Sequence, residues 1–493
     1  MIKIACNSKK TQKNFWNNCV FHPTDAIEDP WGRRILDQIS ADKAIKTIRI
    51  YTMFEDIVYL DENGKLCFDF RLSDLRLDYL TQKGYDVLLS YAGIPDCIAS
   101  GKEQTSVSKN KTRYKGKMWN ASPPSDYALW EEICYQYTLH NVNRYGIKTV
   151  SRWRCQCFNE PDIPWFFFAS LSEEEGVLER VEAYTKMYEG FARAIKRVSE
   201  KISVGGPALA FVDDFLKLFL QNVKEKSLPL DFISLHDYGT KPEWLNDGSR
   251  PFCATDIVEN ISAHFDVIRA CGFGHLPVLI DEWGMSNAGF YNKEECPSLL
   301  ARENEIFSAY FVKLIREFLN SGIKVEMLAV CLSGQHEMTE DFSGFRNFFT
   351  LNFIKKPIYN AFILASCLGE TLLKHEQTDK NVAIIPTKTE NGGYAVMLSY
   401  SEKNFDEDLT GTTETLVFDD EIIGKTATVW CIDKQNNNPY RLYLSKNIKE
   451  PTKEDLELLR AEGNLKPLES FTCTQNSIDL NLTANCTYFI EIK

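Results

Sequence analysis

Between about residues 30 and 365 one pattern repeats along the chain: a short β-branched or apolar run, then an amphipathic stretch with helical spacing. Residues 44–51 read as a strand, and residues 75–83 as a helix ended by Gly84. Residues 86–91 form the next strand, and 126–145 a helix stopped by Gly146. The alternation continues with strands at 151–159, 202–206, 231–236, 277–282 and 325–332, and with helices at 179–201, 213–226, 256–270 and 302–319. Strand-then-helix units of this size predict an α/β fold with a parallel sheet covered by helices. A closed (β/α)8 TIM barrel is favoured over an open sheet, because no Gly-x-Gly-x-x-Gly turn follows the first strand. Gly272-Phe273-Gly274 misses that pattern, since Pro277 stands at the third glycine place.

Beyond about residue 365 the texture changes to short strands separated by turns, at 381–385, 394–400, 415–418, 427–430, 477–480 and 486–492. This spacing predicts an all-β sandwich, with a helix inserted at 453–462. The expected division is a catalytic barrel over residues 15–365 and a C-terminal β-sandwich domain over 366–493. A length of 493 residues accommodates both, at the usual roughly 100–250 residues per domain.

Aromatic residues make up 12% of the chain, enough apolar surface to exclude disorder over most of it. The formal charge of -13 repels phosphate backbones, so a nucleic-acid partner is not expected. The first ten residues carry no apolar signal core, and no window approaches the roughly 18 apolar residues that a membrane span needs. The expectation is an unexported, cytoplasmic protein with no membrane partner. The fifteen cysteines are odd in number and scattered through apolar runs, as buried reduced thiols are. Cys155-x-Cys157 is the one close pair, and no second pair or nearby histidine completes a zinc site. No metal and no cofactor are expected.

In a parallel barrel the chemistry sits where strands end. The strand at 151–159 runs into Asn159-Glu160-Pro161, and strict alternation puts Arg154, Gln156, Phe158 and Glu160 on one face. Taken alone, Glu160 could equally cap a helix. A second apolar strand ends in Asp281-Glu282-Trp283, about three strand–helix units later, which sets the two glutamates across one barrel mouth. Two facing carboxyls are what glycoside hydrolysis needs: a protonated one for the leaving oxygen and an ionised one for the anomeric carbon. A third strand end, Ser234-Leu235-His236-Asp237-Tyr238, offers an imidazole and a phenol that can bond either carboxylate.

With these residues assembled, the chain resembles glycoside hydrolase family 39, the β-xylosidases and α-L-iduronidases of the retaining (β/α)8 clan. The likeness runs from about Phe15 to Gly369. It rests on Phe15-Trp16-Asn17-Asn18-Cys19, Trp130-Glu131-Glu132 and Asn159-Glu160-Pro161. It rests also on Val204-Gly205-Gly206-Pro207-Ala208, His236-Asp237-Tyr238, Asp281-Glu282-Trp283 and the closing Lys356-Pro357-Ile358-Tyr359-Asn360-Ala361-Phe362. The resemblance implies that Glu160 is the general acid/base and Glu282 the nucleophile. It implies that Asn159 bonds the sugar 2-hydroxyl, that His236 and Tyr238 line the site, and that Arg49 supports the nucleophile. Tyr51 and Trp283 complete the expected substrate-binding set. Residues 1–14 are implied to join the sandwich. Glu160 must keep a raised pKa, for which Phe158 and Trp165 are the expected desolvating neighbours. Glu282 must stay ionised beside Arg49, and retention requires the carboxyls roughly 5–5.5 Å apart.

The chain also departs from the family. Arg49-Ile50-Tyr51-Thr52 replaces the usual histidine and glycine after the arginine, and Val330-Cys331-Leu332-Ser333-Gly334-Gln335-His336-Glu337 lacks the usual tryptophan floor. The basic segment 109–117, with Tyr114, reads as a solvated loop or, over the pocket, as a sign of an acidic or branched glycan. The reading is therefore a retaining, β-xylosidase-like glycoside hydrolase acting on a glycoside or oligosaccharide, with homo-oligomerisation left open. The alternatives are an exo-acting hydrolase for an arabinoside, galactoside or uronide, an endo-acting one, and a non-catalytic glycan-binding barrel. His-Glu-x-x-His and Gly-x-Ser-x-Gly motifs are both missed, which argues against zinc proteases and serine hydrolases.

Overall fold

The structure is a computed structural model describing every residue except 23, 106–118, 172–175, 211–212, 288–290, 335–337, 339 and 378. The expected loop 109–117 therefore lies outside the described residues, as do Gln335, His336 and Glu337.

Eight parallel strands close into a barrel in sequence order. We number them β1 (Asn18–Phe21), β2 (Thr47–Tyr51), β3 (Asp86–Tyr91), β4 (Arg154–Cys157), β5 (Ser203–Leu209), β6 (Phe232–Asp237), β7 (Val278–Trp283) and β8 (Val325–Leu332). The covering helices are α1 (Pro30–Ala41), α2 (Arg71–Gln82), α3 (Tyr127–Tyr145), α4 (Val177–Val198), α5 (Asp213–Glu225), α6 (Ala254–Ala270), α7 (Glu305–Ser321) and α8 (Pro357–Ser366). Most of these helices bury one stripe, while α7 and α8 are buried nearly all round. In α5 the stripe is Leu216, Phe219, Leu220 and Val223, the i, i+3, i+4, i+7 spacing of a one-faced helix. The Asp126 carboxylate caps α3 by accepting from the amides of Ala128 and Leu129. At the far end Gly146 turns with φ +78°, a conformation that costs other residues a clash.

The barrel interior is layered. Val20, Leu88, Phe232, Leu279, Met327 and Ala329 fill its lower part with apolar side chains. Above them the inward positions turn polar, at Arg49, Ser90, Gln156, Ser234 and Asp281, all fully buried. Charge there is tolerated only because these groups bond one another.

The rest of the chain forms one nine-stranded sheet that curls over a core of its own, separate from the barrel core. It runs in the order Glu469–Thr472, Thr426–Ile432, Cys486–Ile492, Tyr394–Tyr400, Val382–Lys388, Thr371–Glu376, Ile2–Thr11, Thr412–Phe418 and Ser477–Leu482. Pairing is antiparallel except where Ile2–Thr11 lies parallel to Thr412–Phe418. A helix at Lys453–Gly463 opens on a capping box between Thr452 and Asp455. Helix α7 packs on three strands of the sheet and joins it to the barrel.

Candidate active site

Two departures from regular strand geometry build the site. After β4 the backbone leaves the extended region, with φ of +62° at Phe158 and +48° at Glu160. Strict alternation therefore fails there. Phe158 turns away to pack on Phe167 at 5.2 Å, while Asn159 and Glu160 face the mouth. In β7 the register slips against β6 between Leu235 and His236, and against β8 between Ile280 and Trp283. A slip of this kind re-aims side chains. Asp281 and Glu282, though consecutive, both reach the guanidinium of Arg49, at 2.9 and 2.5 Å.

Arg49 is the hub. Its Nη1 donates to Glu282 Oε1 and its Nη2 to Asn159 Oδ1 at 2.7 Å, while Nε donates to Gln156 Oε1 at 3.0 Å. Gln156 in turn donates to Asp281 and Ser234, each at 2.7 Å. Tyr51 Oη lies 3.0 Å from Glu282 Oε1, and Tyr238 donates to Glu282 Oε2. His236 Nδ1 stands 2.8 Å from Glu160 Oε1, 3.9 Å from Glu282 Oε2, and its Nε2 is 3.4 Å from Asp281. Ligand atoms of Glu160, His236 and Glu282 all fall within 4.8 Å of one another. So close an approach of their nearest oxygens suits the short spacing of a retaining pair.

The same contacts split the two proton affinities. Burial is the largest influence on Glu160 and raises its pKa. The hydrogen bond and charge of His236 pull it down, the charge of Glu282 pushes it up, and the net shift is upward. Burial also pushes Glu282 up, but the charges of His236, Arg49 and Arg346 and the Tyr238 hydrogen bond outweigh it. They hold that carboxyl well below the usual carboxylate range. Burial lowers His236, yet Glu282, Asp281 and Glu160 push it up to about 10. It is an imidazolium at neutral pH, donating from both nitrogens. The three groups are joined by their own contacts, from His236 to Glu160 and to Glu282.

The pocket, of about 320 Å³, is lined by seven of the eight residues expected from the sequence or by groups bonded to them. Glu160, Glu282, Asn159, His236, Tyr238 and Tyr51 line it directly, and Arg49 lies beneath. Trp283 is the correction. It is fully buried on the outer face of β7, between Phe307, Tyr310 and Phe311, because the strand resumes alternation after Glu282. Phe158 and Trp165 are likewise not the desolvating neighbours of Glu160. Trp165 is 49% exposed, and Ile163 and Phe166 line the pocket instead.

Several lining residues carried no signal in the sequence. Arg346, in the loop after β8, donates to Tyr238 Oη at 3.0 Å and to Ser333 Oγ at 3.1 Å. Trp244 comes from a single helical turn, Pro242–Asn246, and its ring lies 5.0 Å from Lys241 Nζ and 5.1 Å from the Arg250 guanidinium. Cys331 lines the pocket at the end of β8, where the aromatic floor is missing. Only Gln156 could have been found, from its parity with Glu160.

Two buried carboxyls of opposite proton affinity at the C-terminal mouth of a (β/α)8 barrel define a retaining glycoside hydrolase. Residues 1–474 match the description Glycosyl hydrolases family 39, and the chain belongs to that family. It is 25% identical to a β-xylosidase of Caldicellulosiruptor saccharolyticus, over all of this chain and 99% of the other. A monomeric β-xylosidase from Caulobacter crescentus superposes with a TM-score of 0.83 at 19% identity, covering 100% of this chain and 99% of that one. A bacterial orthologue of human α-L-iduronidase superposes at 0.77 with 17% identity, covering 100% and 83%. No helix among the described residues is long and apolar enough to cross a membrane.

Proposed function

We propose that the chain removes a terminal β-xylosyl unit by double displacement, with Glu282 as nucleophile and Glu160 as acid and then base. Glu282 attacks the anomeric carbon while the Glu160 proton passes to the departing glycosidic oxygen, leaving a covalent glycosyl–enzyme. Glu160, now ionised, takes a proton from water as the water oxygen displaces Glu282. Asn159, fixed by Arg49, offers its amide to the sugar 2-hydroxyl. The observation that carries this reading is the approach of one oxygen of each carboxyl to within 4.8 Å, with the two proton affinities driven apart. Exo action is supported by a pocket at the small end of the roughly 300–1,000 Å³ range of ligand sites. The β-xylosidase of Caldicellulosiruptor saccharolyticus, matched over the whole chain, supports the sugar.

A second reading, a uronide substrate, is favoured by one observation. Lys241, Arg250 and Arg346 all line the pocket of a chain whose net charge is -13. A panel of aryl glycosides decides between the sugars. Replacing Glu282 by Gly and adding azide tests the mechanism: turnover returns and an inverted glycosyl azide accumulates. Binding without turnover across the whole panel would refute both readings and leave a glycan-binding barrel.

A further inference from the structure

We infer that Asp281 is a positioning residue, the buried counter-charge to Arg49 and His236 without which the acid Glu160 would give up its proton too readily. The inference rests on the reading of Glu160 as the acid. Asp281 is fully buried beneath the pocket, and its Oδ2 gathers contacts from three other strands. Gln156 Nε2 of β4 donates to it at 2.7 Å, Arg49 Nε of β2 lies 2.9 Å away, and His236 Nε2 of β6 stands at 3.4 Å. Its Oδ1 is buried with no hydrogen-bond partner among the described residues.

A buried carboxylate with one oxygen unpaired is costly. An asparagine of the same shape could accept from the same three donors, so the feature that only aspartate supplies is the charge. Arg49, His236 and Arg346 bring cations to the site, Glu282 brings one anion, and Glu160 brings none while it is protonated. Every nearby cation favours the ionised form of Glu160, and an added anion opposes that. The imidazole ties the two acids together, since Nδ1 meets Glu160 at 2.8 Å while Nε2 faces Asp281. Other ionisable groups face this cluster. Burial holds the phenols of Tyr51, Tyr184 and Tyr238 well above their ordinary range and pushes the Cys331 thiol up to about 12, so all four stay neutral. Asp162 faces Glu160 from the turn after β4 and, alongside burial, favours its protonated form.

Asp281→Asn keeps the shape and removes the charge. The linked pair of Glu160 and His236 then loses its first proton more easily. The basic limb of kcat/KM should move down by about one pH unit, the low end of what a charge within about 4–6 Å does. This is the opposite direction from the rise expected when His236 itself loses its charge. A purely structural role would leave the limb in place, and an unmoved or raised limb overturns the proposal. A second measurement uses the wild-type chain. In isotope-labelled histidine read by NMR, with the His236 signals assigned by their loss in His236→Asn, both ring nitrogens should carry protons at neutral pH. A neutral ring leaves Asp281 no imidazolium to balance and overturns the proposal as well. Glu160→Gln on an activated aryl glycoside isolates the underlying reading. Its basic limb should vanish, and a limb that persists would refute the acid assignment while the histidine measurement still decides the charge balance at Asp281.

Discussion

The imidazole of His236 reaches Glu160 at 2.8 Å and Glu282 at 3.9 Å, so one cation touches both carboxyls of the site. Its charge favours the ionised form of each. In the proposed mechanism Glu282 is charged to attack and Glu160 protonated to donate, so the same imidazolium serves one and opposes the other. Burial outweighs it at Glu160, whereas Arg49, Arg346 and the Tyr238 hydrogen bond add to it at Glu282.

That relationship gives the sign of a pH effect. Under the proposed roles the acid limb of kcat/KM follows deprotonation of Glu282, and the basic limb follows loss of the Glu160 proton. His236→Asn removes the charge, so both pKa values rise and both limbs move to higher pH. Measured kcat/KM profiles check this. Limbs that stay in place or move to lower pH would show that His236 does not act through charge.

Glu160→Ala should depend strongly on the leaving group. For poor leaving groups the loss should be roughly 10²–10⁴-fold, the usual worth of general acid catalysis. For activated aryl glycosides the first step should change little. Pre-steady-state kinetics on a series of aryl leaving groups would show the dependence steepening, and a uniform loss would count against the acid role.

Tyr238→Phe removes a donor from Glu282 Oε2 and an acceptor from Arg346. Hydrogen bonds to charged groups contribute about 1.5–3 kcal/mol, so kcat should fall roughly ten- to a hundredfold by the transition-state relation. The acid limb should also move up as Glu282 loses a group that favours its charge. Circular dichroism would confirm the fold, and wild-type kcat would remove Tyr238 from the account.

Trp283 offers a test of structure against site. Its ring fills the space between Phe307, Tyr310 and Phe311, and its Nε1 has no hydrogen-bond partner among the described residues. Trp283→Ala should cost about 3–5 kcal/mol of stability, as large aromatic deletions in cores do. Trp283→Phe should cost less and leave KM unchanged. A raised KM with an unshifted denaturation midpoint would restore the sugar-contact role.

Much of this was legible in one dimension because it depends on local periodicity. Strand β3 and strand β8 coincide with their sequence-based ranges, since their apolar runs are bounded by clear turn signals. The two glutamates were visible because each ends an apolar strand, and barrels put chemistry there. Strand β1 has only four residues and was too short for periodicity to register. The face assignment failed where alternation did, at Phe158 through its positive φ.

The order of strands and helices, the barrel and the two candidate glutamates were legible in the chain itself, because hydrophobic period and strand-end position are properties of neighbouring residues. The unequal proton affinities of the two carboxyls came from the fold alone. They depend on Arg49, His236, Tyr238 and Arg346 arriving from three places, namely β2, the end of β6 and the loop after β8, on the burial they share, and on distances of a few ångströms over which charge acts most strongly in a buried site.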